Sequence, residues 1–306
     1  MPGMTDAPLT PISLTLVNAD LPAAAAALGE AFASTGFALV SDHGIPDMLL
    51  SRAMGAAKAL FALPSAAKAA YVQAEGFQRG YTPFGREIAK DGPAPDLKDF
   101  WHIGRENVPG LPANVWPGEW PLFRPVMLEL FAALDHVGQR LLRAIAVHLG
   151  QSPDFFEDAT KDGNSVLRLL HYPPLQGREG PAIRAAAHED INVITLLLGA
   201  EEAGLQLLDR NGTWQAITAP PGTLVCNIGD MLQRLTGGRL PSTTHRVVNP
   251  APDRQGRARY SMPYFLHFRP DYRIETVAGG PQSWPPITAG AYLQERLREI
   301  GLLSRD

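Results

Sequence analysis

From about residue 165 onward the chain breaks into short apolar segments separated by tight-turn residues, a pattern that strongly limits its possible folds. Residues 166–172, 191–198, 204–208, 214–217, 223–228, 243–248 and 259–268 have the length and apolar character of strands. Between them fall Pro173-Pro174, Asp209-Arg210-Asn211-Gly212, Pro220-Pro221-Gly222, Gly237-Gly238 and Asp253-Arg254-Gln255-Gly256. These residues preset φ or tolerate positive φ, so each marks a turn. Many short strands punctuated this way predict a sandwich or barrel of the jelly-roll type.

The first half has a different rhythm. Asp20-Leu21-Pro22 opens a helix with a capping carboxylate and an early proline, and Gly36 stops it. Residues 37–40 form a short apolar strand, followed by an Asp42-His43-Gly44 turn and a helix from Pro46 to about 63–64. Over 125–149, Met127, Leu130, Phe131, Leu134, Leu141 and Ile145 recur at helical spacing, and Gly150 closes the helix. Residues 104–120 read as a Pro/Gly-rich surface connection and 289–300 as a last helix. The predicted class is α+β with a mainly β core. The expected division is a mainly helical N-terminal region, 1–160, and a β domain, 161–306.

At 306 residues the chain can bury one large core or two modest ones. A net charge of −4 and the lack of any basic run argue against nucleic acid as a partner. The one cysteine, Cys226, lies in an apolar stretch, excludes an intramolecular disulfide and fits a reducing compartment. The N-terminus lacks the positive start and apolar core of a signal peptide, and the alanine run at 23–27 soon meets Glu30. The expected location is cytoplasmic, with no membrane partner.

The chemistry concentrates in His188-Glu189-Asp190, His245 and Arg259-Tyr260-Ser261. His188 and Asp190 leave the same face of extended backbone, with Glu189 turned away, while His245 must arrive from another strand. Two imidazoles and one carboxylate on one side of a metal leave its other positions open, as in non-haem Fe(II) oxygenases. Spacing alone does not choose iron over zinc or copper. The lack of a second histidine one helical turn after Glu189 does argue against a hydrolytic His-Glu-x-x-His site. Arg259 and Ser261 share a face, and a buried guanidinium there requires an anion.

With Gly36-Phe37, Leu60-Phe61-Ala62-Leu63-Pro64, Gly204-Leu205-Gln206, Asn227-Ile228-Gly229-Asp230, Ser242 through Val247 and Arg259-Tyr260-Ser261 in order, the chain resembles a known family. It is similar to the isopenicillin N synthase-like branch of the iron- and 2-oxoglutarate-dependent dioxygenases over nearly its whole length. The resemblance implies a distorted double-stranded β-helix behind a helical N-terminal region, with 161–306 as catalytic domain. It implies Fe(II) on His188, Asp190 and His245, and 2-oxoglutarate with its distal carboxylate on Arg259 and Ser261 beside the Tyr172 hydroxyl. O2 then drives oxidation, hydroxylation first, of a small organic molecule with release of succinate and CO2. Where the family often has Asn-Tyr-Tyr-Pro, this chain has Leu170-His171-Tyr172-Pro173.

Arg79, Tyr81 and His102 fall where the family often builds the rim of its substrate pocket, and Arg168 shares strand parity with Tyr172, so these four are the candidate substrate residues. An arginine facing the metal would imply a carboxylate on the substrate. His43, His136, His148, His171 and His267 read as structural. Two rival functions remain: an oxidase of the same fold that uses no 2-oxoglutarate, and a jelly-roll protein that binds metal or ligand without turnover.

Overall fold

The computed structural model describes residues 9–73, 79–88, 94–175, 182–198, 204–277, 279–300 and 303. The first eight residues, on which much of the reading of the N-terminus rests, lie outside these. Among the described residues no helix is long and apolar enough to cross a membrane.

The strands are β1 (Pro11–Ser13), β2 (Phe37–Ser41), β3 (Gly80–Thr82), β4 (Asp99–Gly104), β5 (Val166–Tyr172), β6 (Ala185–His188), β7 (Ile194–Leu198) and β8 (Leu205–Leu208). They continue with β9 (Trp214–Ala216), β10 (Leu224–Ile228), β11 (His245–Val247), β12 (Arg259–Ser261), β13 (Pro263–Leu266), β14 (Arg273–Ile274) and β15 (Ile287–Thr288). A nine-stranded sheet runs β1-β2-β10-β7-β13-β5-β4-β3, with β12 also paired to β5. A four-stranded sheet, β6-β11-β8-β9, faces it across a cavity lined from both. This is the jelly-roll core that the turn pattern predicts.

The helices are α1 (Leu16–Ala19), α2 (Leu21–Thr35), α3 (Asp47–Phe61), α4 (Ser65–Ala69), α5 (Phe123–His148), α6 (Glu157–Thr160), α7 (Asp230–Leu235) and α8 (Ala289–Glu299). As expected, Asp20 caps α2 by accepting from the Ala23 N–H at 3.0 Å, and Gly36 ends it with φ +74°. Helix α5 starts two residues before Pro125, because a proline in the first turn forfeits no intrahelical bond.

The large sheet owes its position to the period-2 alternation of its strands. Leu167 and Leu169 of β5, Ile194 and Leu196 of β7, and Leu224 and Cys226 of β10 join the core that also contains Met127, Leu134 and Leu141 of α5. Their alternates, Arg168, Leu170 and Tyr172, Thr195 and Leu197, and Asn227, line the cavity. Burying a leucine side chain in such a core contributes about 1.5–3 kcal/mol. A slip of one residue in any of these strands would exchange core and cavity faces.

Two departures from the predicted elements have clear causes. The first half also supplies β1, β3 and β4, so the sheet runs through both regions. All six residues of β4 are buried, and the polar Asp99 and His102 interrupt the apolar run that would have marked it. Strand β7 begins at Ile194 rather than 191, because the preceding backbone serves α7 instead of a ladder. Asp190 and Asn192 carbonyls accept from the N–H groups of Asp230 (2.7 Å) and Met231 (3.1 Å).

Candidate metal and co-substrate site

His188 ends β6 and His245 begins β11, and the two are direct partners across that antiparallel pair. Opposed residues bring their side chains together on one face, and the ring centroids lie 4.4 Å apart. Asp190 follows in the turn after β6, its position set by the α7 contacts just described. The potential ligand atoms of His188, Asp190 and His245 all lie within 4.8 Å of one another. Each Nε2 faces the carboxylate, with His188 at 3.9 Å from Oδ1 and His245 at 3.8 Å from Oδ2.

Second partners fix these groups in ligand-competent form. His188 Nδ1 lies 2.7 Å from the Ala186 carbonyl and His245 Nδ1 3.1 Å from the Thr243 carbonyl. A carbonyl only accepts, so each Nδ1 carries the proton and each Nε2 keeps a lone pair. Asp190 Oδ2 accepts from Thr195 Oγ1 at 2.5 Å and Asn227 Nδ2 at 2.8 Å. Those donors are themselves a cross-strand pair of β7 and β10. Burial alone would raise the Asp190 carboxyl, but His245, His188 and these two donors hold it below its ordinary value. Burial pushes His188 down from its ordinary value, in the direction that favours the unprotonated Nε2 a metal requires. Two lone-pair nitrogens and an ionised oxygen fit a divalent transition metal, while Glu189, expected to face away, is exposed but lines the same cavity and accepts from the Thr244 hydroxyl.

Arg259, Ser261 and Tyr172 lie farther along the same cavity, all buried. The β12–β5 register pairs Arg259 with Tyr172 and Ser261 with Leu170, and the guanidinium sits 5.0 Å from the Tyr172 ring centroid. Leu170, at the place of the family's asparagine, lines the cavity. His171 points the opposite way, to Asp99 at 2.7 Å, and packs against the rings of Phe61 and Tyr260.

The four expected pocket residues separate. His102 and Arg168 pair across β4 and β5 and line the cavity, with Arg168 Nε 2.6 Å from His102 Nε2. Tyr81 pairs with Trp101 and turns to the other face, where its hydroxyl donates to Asp99 at 2.8 Å; the parity of β3 rules out the expected rim position. Arg79 is buried but does not line the cavity. It donates to Asn164 at 2.9 Å and lies over Gly104, where a Cβ would come within 2.0 Å of the guanidinium.

Several cavity residues carried no role in the sequence reading. Glu87 and Lys98 meet at 2.7 Å, Lys98 reaches Asp96 at 2.8 Å, and Arg168 Nη1 lies 3.3 Å from both Glu87 oxygens. Burial would neutralise Glu87, yet Arg168 and Lys98 hold its carboxyl well below the usual range. His267, read as structural, lines the cavity, and burial pushes it down to about 4. A buried Asn227 in an otherwise apolar strand was the one legible signal, since buried polar groups need partners. Nothing in the local sequence around Glu87 marks it.

Residues 163–268 match the family described as the 2OG-Fe(II) oxygenase superfamily. Residues 8–121 match the N-terminal region described for a non-haem dioxygenase in morphine synthesis. The 2-oxoglutarate-Fe(II) type oxidoreductase hxnY of Emericella nidulans is 34% identical over 286 residues, covering 85% of this chain and 81% of the relative. A crystal structure of a 2OG-Fe(II) oxygenase family protein from Caulobacter crescentus superposes with TM-score 0.87 at 49% identity, covering 95% of this chain and 99% of that one. The crystal structure of a full-length Neurospora crassa protein in complex with alpha-KG and thymine gives TM-score 0.86 at 29% identity, covering 96% of this chain and 98% of that one.

Proposed function

We propose, given that this chain belongs to the 2OG-Fe(II) oxygenase superfamily and is an Fe(II)- and 2-oxoglutarate-dependent dioxygenase, that His188, Asp190 and His245 hold its ferrous ion. Arg259 and Ser261 take the distal carboxylate of 2-oxoglutarate, with Tyr172 beside it. The observation that carries this reading is the convergence of two Nε2 atoms and one carboxylate whose remaining atoms are already hydrogen-bonded. The N-terminal region, 1–160, supplies the helical support and strand β4, and 161–306 supplies these site residues.

Bound ferrous iron with 2-oxoglutarate and O2 supplies the oxidising chemistry, releasing succinate and CO2. The chain's own contribution is placement. The Ala186 and Thr243 carbonyls keep both Nδ1 protons in place, so neither imidazole can turn its lone pair away. Arg259 offers a planar fork suited to a carboxylate, and alternation along β12 puts the Ser261 hydroxyl on the same face. Leu197, Leu205 and Val247 line the cavity with apolar surface that excludes water around these groups.

The substrate is a small molecule, of the kind that thymine represents in the Neurospora crassa complex, and hydroxylation of a C–H bond held near the ferrous ion is the proposed outcome. A single cysteine, Cys226, is in keeping with a reducing compartment, and a cytoplasmic location is proposed on that basis.

Anaerobic titration with Fe(II), with and without 2-oxoglutarate, tests the assignment through the visible metal-to-ligand charge-transfer band. The band should need both components, vanish in His245→Ala and weaken in Arg259→Ala. Iron binding with no such band would overturn the co-substrate assignment.

A further inference from the structure

The wall formed by β4 and β5, across the cavity from His188, is charged yet already neutralised. Resting on the assignment of iron and 2-oxoglutarate above, the formal charges can be compared directly. Among the described cavity residues six carboxylates, Glu87, Asp96 and Asp190 among them, stand against five cations that include Lys98, Arg168 and Arg259. Ferrous iron and the 2-oxoglutarate dianion add equal and opposite charge. A carboxylate-bearing substrate would therefore enter, as an uncompensated ion, a site that already holds one more anion than cation. The sequence linked an arginine facing the metal with such a substrate. Arg168 does line the cavity, but Glu87 and His102 already engage its Nη1 and Nε.

The same wall retains neutral hydrogen-bonding capacity. The bonds that Arg168 makes through Nη1 and Nε leave Nη2 as a donor. Glu87 adjoins the same guanidinium through Nη1, with oxygens that can each accept more than one hydrogen bond. A donor beside an acceptor is the complement of an N–H beside a C=O. The surroundings do not add charge: burial keeps both His102 and His267 deprotonated. Phe265 and Phe100 pack on the Arg168 guanidinium, with ring centroids 5.2 and 4.3 Å away, and fix its plane.

We infer that the substrate is an uncharged molecule that presents an amide- or lactam-type edge to Glu87 and Arg168. These two residues then select against carboxylates as well as for the amide edge.

The test uses protein loaded anaerobically with Fe(II) and 2-oxoglutarate, with the charge-transfer band recorded first. Matched probes differing mainly in charge follow: benzamide and benzoate, nicotinamide and nicotinate, uracil and orotate. Binding is read by calorimetry and by perturbation of the band. The neutral member of each pair should bind at least about 10-fold tighter, since an unpaired buried ion is strongly disfavoured. In Glu87→Gln the guanidinium loses its anion, and the carboxylate members should gain about 10-fold.

Tighter binding of the carboxylates by the unaltered protein, or no binding by any neutral probe, overturns the inference while leaving the metal site intact. An unchanged ranking in a folded Glu87→Gln protein overturns it as well. If that variant does not fold, the ranking in the unaltered protein decides alone. Absence of the band removes the underlying assignment and this inference together.

Discussion

Replacing Thr195 with valine should weaken Fe(II) binding about 10- to 100-fold while leaving the fold in place. The substitution keeps the branched shape and removes one hydroxyl that donates to Asp190 Oδ2 at 2.5 Å. That length is typical of a charge-assisted bond, and a hydrogen bond to a charged group contributes roughly 1.5–3 kcal/mol. At about 1.4 kcal/mol per factor of ten, the loss corresponds to roughly one to two decades in affinity. Asn227 still donates at 2.8 Å, so the carboxylate is loosened rather than freed. Asn192 Nδ2 loses its acceptor on Thr195 but retains the Ile194 carbonyl at 3.0 Å. The assay is an anaerobic Fe(II) titration against a competing chelator, with circular dichroism and a melting curve on the same samples. Removing Asn227 as well should cost more than either change alone, because Oδ2 would then be buried without a donor. An iron affinity within about twofold of the parent, in a folded Thr195→Val protein, would refute the argument that this hydrogen bond orients a metal ligand.

Arg259→Gln should raise the apparent KM for 2-oxoglutarate about 100-fold or more, since breaking a buried ion pair costs about 3–5 kcal/mol; succinate release across a 2-oxoglutarate series measures it. Stability should fall on acidification between about pH 6.5 and 4, because unfolding lets His267 take up a proton that its folded pKa of about 4 refuses. At about 1.4 kcal/mol per pKa unit this group contributes roughly 3 kcal/mol near neutrality, fully present above its unfolded pKa and lost toward pH 4. Urea midpoints of metal-free protein at several pH values should follow that slope, and His267→Asn should flatten it. Cys226 should resist thiol reagents in the native protein and react only as the chain unfolds, because burial both shields the thiol and raises its pKa; labelling rates across a urea series check this.

The sequence alone determined the jelly-roll class and the caps of α2 and marked His188-x-Asp190 as a candidate ligand pair, because each is encoded at short range. Turn residues define strand lengths, Asp20 and Gly36 cap locally, and His188-x-Asp190 has the parity of an extended segment whichever strands surround it. The order of strands was beyond that reading. Only the folded chain sets β11 against β6 so that His245 meets His188, and β7 against β10 so that Thr195 and Asn227 reach one carboxylate oxygen. Tyr81 illustrates the same limit: His102 lines the cavity and Tyr81 does not, because the β3–β4 register decides which face each side chain takes. Glu87 was illegible for a related reason. Its role arises from Lys98 and Arg168, the latter on a strand far along the chain. Local sequence fixes which groups can ionise or bond, but a buried charge acquires its meaning from partners that only tertiary packing brings within reach.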